Sequence, residues 1–245
     1  MSAVNAIILG LVQGLTEFLP VSSSGHLVIF QKFLEFESPG IVFEVMVHLA
    51  TSLAIIVCFR RRIFEAKREY LYPIVIGSIP AAAVGLLFRG AIEGLFESMA
   101  VVGLALIVTG VMNFMTDKAH TRRERVSAVD SLFIGLAQAF AIIPGISRSG
   151  STIFAGTSMG IDRKAAAEFS FLLSVPVVLG ANFLELSQAE ISLGSVDVYL
   201  FGFAAAFVSG IIAIKVVIRI LVERVFKYFG LYAIVAGLLT ILFLV

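Results

Sequence analysis

The sequence predicts an all-α polytopic membrane protein built from two inverted-topology repeats. Each repeat holds one re-entrant helical hairpin and three transmembrane helices, six spans in total. Three observations carry this. First, 59% of the 245 residues are hydrophobic and 14% charged, with a mean hydropathy of +1.04. Soluble domains hold about 45–50% apolar and about 25% charged residues. Second, six apolar stretches approach the length of a spanning helix. Third, two polar-interrupted apolar segments repeat each other 125 positions apart. A soluble globular enzyme, a disordered chain and a collagen-like chain are excluded.

The elements follow in chain order. Residues 1–16 are apolar, and no Lys or Arg precedes them as a secretory signal requires, so they read as part of the mature protein. The first apolar segment, 3–31, is broken by Pro20, Ser22-Ser23-Ser24 and Gly25. Broken backbone at membrane depth is tolerated only where protein or a wet cavity surrounds it, which favours a helix–loop–helix hairpin over a kinked span. Three spans follow at about 42–59, 71–88 and 98–115. The second broken segment, 131–160, carries Pro144-Gly145 and the run Ser147 to Thr152. Spans at about 168–185, 198–218 and 229–245 complete the chain.

The two segments align without a gap. Gly10-Leu11-Val12-Gln13 matches Gly135-Leu136-Ala137-Gln138, and Ser22-Ser23-Ser24-Gly25 matches Ser147-Arg148-Ser149-Gly150. Glu44, Gly77 and Gly103 match Glu168, Gly202 and Gly230 at nearly the same offset. A tandem duplication, residues 1–122 and 123–245 of one membrane domain, accounts for the series. Three spans per repeat is odd, so the second repeat lies upside down. Basic residues favour the cytoplasmic side. The stretch 60–69 has five (Arg60, Arg61, Arg62, Lys67, Arg68), while its counterpart, about 186–197, has none. The stretch 89–97 has only Arg89, while about 219–228 has Arg219, Arg224 and Lys227. With hairpins, 14 of the 18 basic residues fall inside and two (Lys32, Arg89) outside. Lys215 snorkels to the inner face. Only Arg148 is left within the membrane.

Ionisable residues at the centre of a membrane helix cost roughly 2.5–3.5 kcal/mol and mark function by default. Here they are Glu17, His26 and Arg148, all in the hairpins, with His48, in a spanning helix, as a fourth candidate. Gln13 and Glu17 share a helix face. Glu17, Ser23 and His26 supply a base, a nucleophile and an acid or second base. Hydroxyls and free amides at a helix start suit an anion. Arg148 stands among Ser147, Ser149 and Thr152, and its planar fork suits phosphate. A purely structural Arg148–Glu17 pair predicts the same proximity. Glu44 and Glu168 read as dipole partners at helix starts, His48 as a packed core histidine, and Asp162-Arg163-Lys164 as a solvated inner loop. Net charge +1 gives no nucleic-acid signal, and Cys58 alone forms neither an internal disulfide nor a zinc site.

The run Gln13-Gly-Leu-Thr-Glu17-Phe-Leu-Pro-Val-Ser-Ser-Ser-Gly-His26 resembles the Glu/Gln-rich motif of the undecaprenyl-diphosphate phosphatases, also called bacitracin resistance proteins. Pro144-Gly-Ile-Ser-Arg-Ser-Gly-Ser-Thr152 resembles their second motif, and Ala165-Ala-Ala-Glu-Phe-Ser-Phe-Leu-Leu173 is also typical. The resemblance implies a plasma-membrane hydrolase whose site opens to the outer face. It would cleave a polyprenyl diphosphate lipid to the monophosphate and inorganic phosphate, recycling the carrier for cell-envelope glycan synthesis and conferring bacitracin resistance. It implies catalytic roles for Glu17, Ser23, His26 and Arg148, and substrate contacts from Gln13, Ser22, Ser24, Ser147, Ser149 and Thr152. It also implies a divalent cation, Mg2+ or Ca2+, with Glu17 as a ligand. Gln13 stands where other members have a second glutamate, which shifts any base role to Glu17. The oligomeric state stays open, a dimer being one option. Inverted repeats with broken helices are also the architecture of transporters, so a transporter or flippase is the rival reading. A membrane lipid phosphatase with a histidine nucleophile is rejected, because no histidine follows His120.

Overall fold

The computed structural model describes residues 2–33, 40–65, 68–120, 123–188, 196–220 and 225–245. Lys67, Arg122 and Arg224, counted above among the basic residues, lie outside them. So do most of the stretch 186–197 and the position proposed as the boundary between the repeats.

The described residues form eleven helices. In order they are α1 (Ala3–Thr16), α2 (Ser23–Phe33), α3 (Ile41–Glu65), α4 (Arg68–Leu87), α5 (Arg89–Phe96) and α6 (Met99–Lys118), followed by α7 (Ala128–Phe140), α8 (Arg148–Ser158), α9 (Arg163–Gln188), α10 (Val196–Ile220) and α11 (Phe226–Leu244). Five of them, α3, α6, α9, α10 and α11, are long and apolar enough to cross a membrane. A sixth span results if α4 and α5, bent 81° apart at Phe88, count as one. The chain is therefore a multi-pass membrane protein. The 89–97 stretch, read from sequence as a loop, is largely this short helix, tied by an Arg89–Glu93 ion pair at 2.8 Å.

The two broken segments fold as short helix, break, short helix. At about 1.5 Å per residue, the 14 residues of α1 rise only about 21 Å. That falls short of a hydrocarbon core about 30 Å thick. Ser2 caps α1 by accepting from the Asn5 amide at 3.2 Å, and Pro20 follows its end as a helix breaker. Ser127 and Asp130 form a reciprocal capping box at the start of α7. Ser147 caps α8 through the Gly150 amide at 3.1 Å. Each short pair packs against itself, α1 on α2 and α7 on α8.

The long-range packing runs between the halves of the chain. α1 lies on α10, α4 on α7, α6 on α11, and α3 on both α9 and α10. Glycine permits the closest crossings. A side chain at Gly10 would strike the Gly202 carbonyl, and one at Gly135 the Gly77 carbonyl. The two break loops also meet, with a Cβ at Gly25 falling 3.1 Å from Gly145 Cα.

Burial is inverted relative to a soluble protein. Leu87, Phe183 and Phe243 are each 77% exposed, while Gln13, Glu17, His26, Asn113 and Thr152 are buried. Lipid replaces water outside, and polar groups are satisfied within. The largest apolar cluster centres on Phe18, Phe59, Phe171 and Phe226, with Phe18 edge-on to Phe171 at 5.4 Å.

One end of the bundle gathers the charges. Arg62 pairs with Glu168 at 2.6 Å, and Arg123 grips Asp130 through both nitrogens at 2.6 and 2.7 Å. Arg163, expected in a solvated loop, is buried and donates to the carbonyls of Asp117 and Ala119 at 3.2 Å. Asp162 accepts from the Lys164 and Ala165 amides, so this segment is a capped helix start.

Candidate active site

The break loops carry the site. After α1 the chain turns at Glu17 to Val21, and Ser22 adopts a left-handed backbone with φ 70°. That conformation costs a non-glycine residue about 1–2 kcal/mol. Local bonds hold it. The Ser22 hydroxyl accepts from the Gly25 amide at 3.3 Å, and the Ser22 carbonyl takes both the amide and Nδ1 of His26, at 3.2 and 2.7 Å. The turn delivers Ser23 to the first position of α2, opposite the end of α1. Strain of this kind collects at functional sites.

The second loop turns at Gly145, φ 94°, whose missing side chain lets it sit against the Val102 carbonyl. α6 braces both loops from behind. Thr109 donates to the Gly145 carbonyl and accepts from the Ser147 amide, both at 2.9 Å. Asn113 donates to the Pro20 carbonyl at 2.6 Å, and Ser149 to the Leu19 carbonyl at 3.1 Å. The loops are thereby locked to each other.

At their meeting point Glu17 is only 9% exposed and takes three donors. Arg148 Nη2 reaches Oε1 at 2.5 Å; Ser23 Oγ and Gln13 Nε2 reach Oε2 at 2.6 and 3.0 Å. A carboxylate that only accepts, facing a guanidinium, is ionised. The geometry is that of a nucleophile bonded to its base, with the base oriented by a third group. The sequence expected Gln13, Glu17, Ser23 and Arg148 together, and the structure brings them together.

Other expected residues take different places. His26 Nδ1 must donate to the Ser22 carbonyl, so its Nε2 accepts from the Tyr232 hydroxyl, 2.7 Å away on α11. The two rings stack at 5.5 Å. Ser147 and Ser149 are buried and lie 3.2 Å from each other. Thr152 meets Ser170 Oγ at 2.6 Å and donates to the Arg148 carbonyl at 2.8 Å. These three hydroxyls are engaged within the fold around Arg148. Ser24 and Ser22 lie 3.4 Å apart.

Three participants had no signal in the sequence. Tyr232, Thr109 and Asn113 act from helices distant in the chain. His48, expected as a core residue, places Nδ1 3.0 Å from Gln13 Nε2. Gln13 thus donates one proton to Glu17 and one to His48, and its buried Oε1 has no partner among the described residues. Accepting at Nδ1 leaves the His48 proton on Nε2. His48 also faces a cavity of about 210 Å³, whose polar wall is formed by Ser24, Gln31, Glu44, Asn182 and Glu185. This vestibule leads from the break loops toward the end of the bundle opposite the charged one.

Among the described residues, no group of three His, Cys, Asp or Glu is placed to hold a metal ion. Both Glu17 oxygens are engaged, so the site offers a cation one carboxylate and no protein cage. That fits a hard cation held mainly by diphosphate oxygens, as Mg2+ commonly is.

A family model described as bacitracin resistance protein BacA matches residues 6–239. The undecaprenyl-diphosphatase of Methanococcus vannielii is 37% identical over 251 residues, covering 97% of this chain and 99% of its own length. That of Carboxydothermus hydrogenoformans is 39% identical, covering 97% and 95%. That of Halothermothrix orenii is 39% identical, covering 99% and 98%.

Proposed function

Because the chain belongs to the bacitracin resistance protein BacA family, we propose that it hydrolyses undecaprenyl diphosphate, or a similar polyprenyl diphosphate, to the monophosphate and inorganic phosphate. This reaction recycles the carrier lipid of cell-envelope glycan synthesis and underlies bacitracin resistance. The observation that carries the reading is the buried bond from Ser23 to Glu17 at 2.6 Å, beside Arg148.

Arg148 binds the terminal phosphate and neutralises charge on the transferring phosphoryl group. Free amides at the start of α2 add donors. Ser23 Oγ attacks the terminal phosphorus as its proton passes to Glu17. The bridging P–O bond breaks, and the prenyl monophosphate leaves. Water then attacks the phosphoserine and the Ser23 O–P bond breaks; Glu17 returns its proton to Ser23 Oγ, takes one from the water and passes it to the departing phosphate, so that both residues are restored. Glu17 is the base in this scheme; His26, held by Ser22 and Tyr232, sets the turn that presents Ser23. Ser147, Ser149 and Thr152 hold the loop that carries Arg148. Glu17 would be the protein ligand of a divalent cation, Mg2+ or Ca2+, which would supply further charge neutralisation on the diphosphate.

The architecture is read as two inverted repeats, α1–α6 and α7–α11, with re-entrant break loops. Reciprocal packing supports this: α1 on α10 answers α7 on α4, with Gly10 at Gly202 answering Gly135 at Gly77. The positive-inside rule then puts the charged end in the cytoplasm and opens the vestibule outward.

The test is phosphate release from undecaprenyl diphosphate in detergent with Mg2+, comparing the wild type with Arg148→Ala and Glu17→Gln. The wild type should turn over, and each variant should lose about 100-fold or more. No release from any chain length or cation, by folded protein, overturns the reading in favour of a transporter. Trapping phosphoserine at Ser23 separates serine attack from direct attack by water. Substantial turnover by Ser23→Ala refutes the former.

A further inference from the structure

Most glycines on the helices lie against a neighbour; Gly90 and Gly94 of α5, Gly85 and Gly180 do not, and the last two face one cavity. A side chain at Gly180 would meet nothing within 4 Å, and one at Gly85 only Ile142 Cδ1 at 3.9 Å. Helix packing therefore does not explain them. Both line a groove of about 530 Å³ between α4, α5 and α9. Ala81, Ala82, Val177 and Leu184 continue its wall, and Ile92 and Phe96 of the bent α5 close one side.

This groove is not separate from the site. Phe96, Ala181 and Glu185 line both it and the vestibule. A polar chamber therefore opens sideways into an apolar channel among lipid-facing helices. Asn182 stands in the chamber wall, 4% exposed, and its Nδ2 has no partner among the described residues. It is a buried donor suited to an anionic oxygen. A polar chamber, which also holds the carboxylates Glu44 and Glu185, joined to an apolar channel matches one kind of molecule, a polar head on a long apolar chain.

We propose that the groove between α4, α5 and α9 binds the first isoprene units of the substrate's prenyl chain, while the diphosphate occupies the vestibule. The proposal rests on the phosphatase reading for the identity of the chain. Gly85 and Gly180 leave width for a methyl-branched chain. The 81° turn at Phe88 keeps α4 from continuing alongside α9 and leaves the gap between them open. The chain enters from the bilayer side, so the lipid need not leave the membrane for its head to reach Ser23.

Two measurements test it. Phosphate release is compared for undecaprenyl diphosphate and dimethylallyl diphosphate, whose single isoprene unit enters only the mouth of the groove. In Gly180→Leu, the ratio of kcat/KM for the long over the short substrate should fall about tenfold or more. The open space at Gly180 makes the variant sterically tolerable, and an unchanged melting temperature in detergent confirms that. A prenyl diphosphate with a photoreactive group on its first isoprene units should label residues 176–184 of α9. Gly180→Leu should remove the label. An unchanged substrate ratio, or labelling confined to other helices, overturns the groove. Labelling needs no turnover. Labelling of α9 without phosphate release would defeat the phosphatase reading and leave the lipid groove standing.

Discussion

Gln13 has one amide nitrogen with two protons, and the site uses both, one on Glu17 and one on His48. This fixes His48 as an acceptor at Nδ1. His48→Phe leaves a buried N–H without a partner and should cost about 1–3 kcal/mol. His48→Gln, which can still accept, should recover most of it. Thermal unfolding of the two variants in detergent checks this; equal stability would refute the role. The sequence made Glu17 and Arg148 legible because unpaired charge at membrane depth is so costly that each implied the other. His48 was legible only as a fourth candidate, read first as a core residue, and Tyr232 not at all. Their polar partners lie 35 and 206 residues away, and a histidine or tyrosine on an apolar helix reads as packing.

The short helices depend on their caps. Ser147 both starts α8 and sets the loop that aims Arg148. Ser147→Ala should destabilise by about 1 kcal/mol, and its kcat for polyprenyl diphosphate should fall more than that loss alone explains. α7 depends on Asp130. The Arg123 hydrogen bonds, against the opposing effect of burial and with help from Ser127, hold its carboxyl at about 2, below the ordinary 3.8. A depressed carboxyl contributes stability above its unfolded value and loses it as pH falls through the folded one. The melting temperature should therefore drop as pH falls from about 4 to about 2. Asp130→Asn should lower it at neutral pH and flatten that step, as a pH series of melts would show. α3, α6, α9, α10 and α11 were legible from apolar length. α5 was not: with Arg89, Glu93 and Glu97 in so short a stretch, its composition is that of a loop. Its helix rests on an i,i+4 pair and a bend set by tertiary packing.

At the scale of the whole molecule, the proposed orientation makes opposite ends chemically distinct. With Cys58 replaced, a cysteine at exposed Arg61 or Lys164 should react with an impermeant thiol reagent only from the cytoplasmic side. One at Glu93 should react only from the other side. Labelling of right-side-out and inverted vesicles decides it, and a shared side for all three would refute the inverted arrangement. The proposed duplication rests, in the sequence, on Gly10, Gln13, Gly135 and Gln138 at one offset. The crossings between the halves, α1 on α10 and α4 on α7, were not legible, because close approach depends on which face each glycine turns to its neighbour. The Glu17–Arg148 bond spans 131 residues and joins one half to the other, which bears on how the chain is made. While a ribosome is still synthesising the first half, Glu17 has no counter-charge, and its hairpin has no partner loop to rest against. The first hairpin should therefore stay loosely inserted until the second emerges, so the nascent chain becomes a membrane protein in its final form only late in translation.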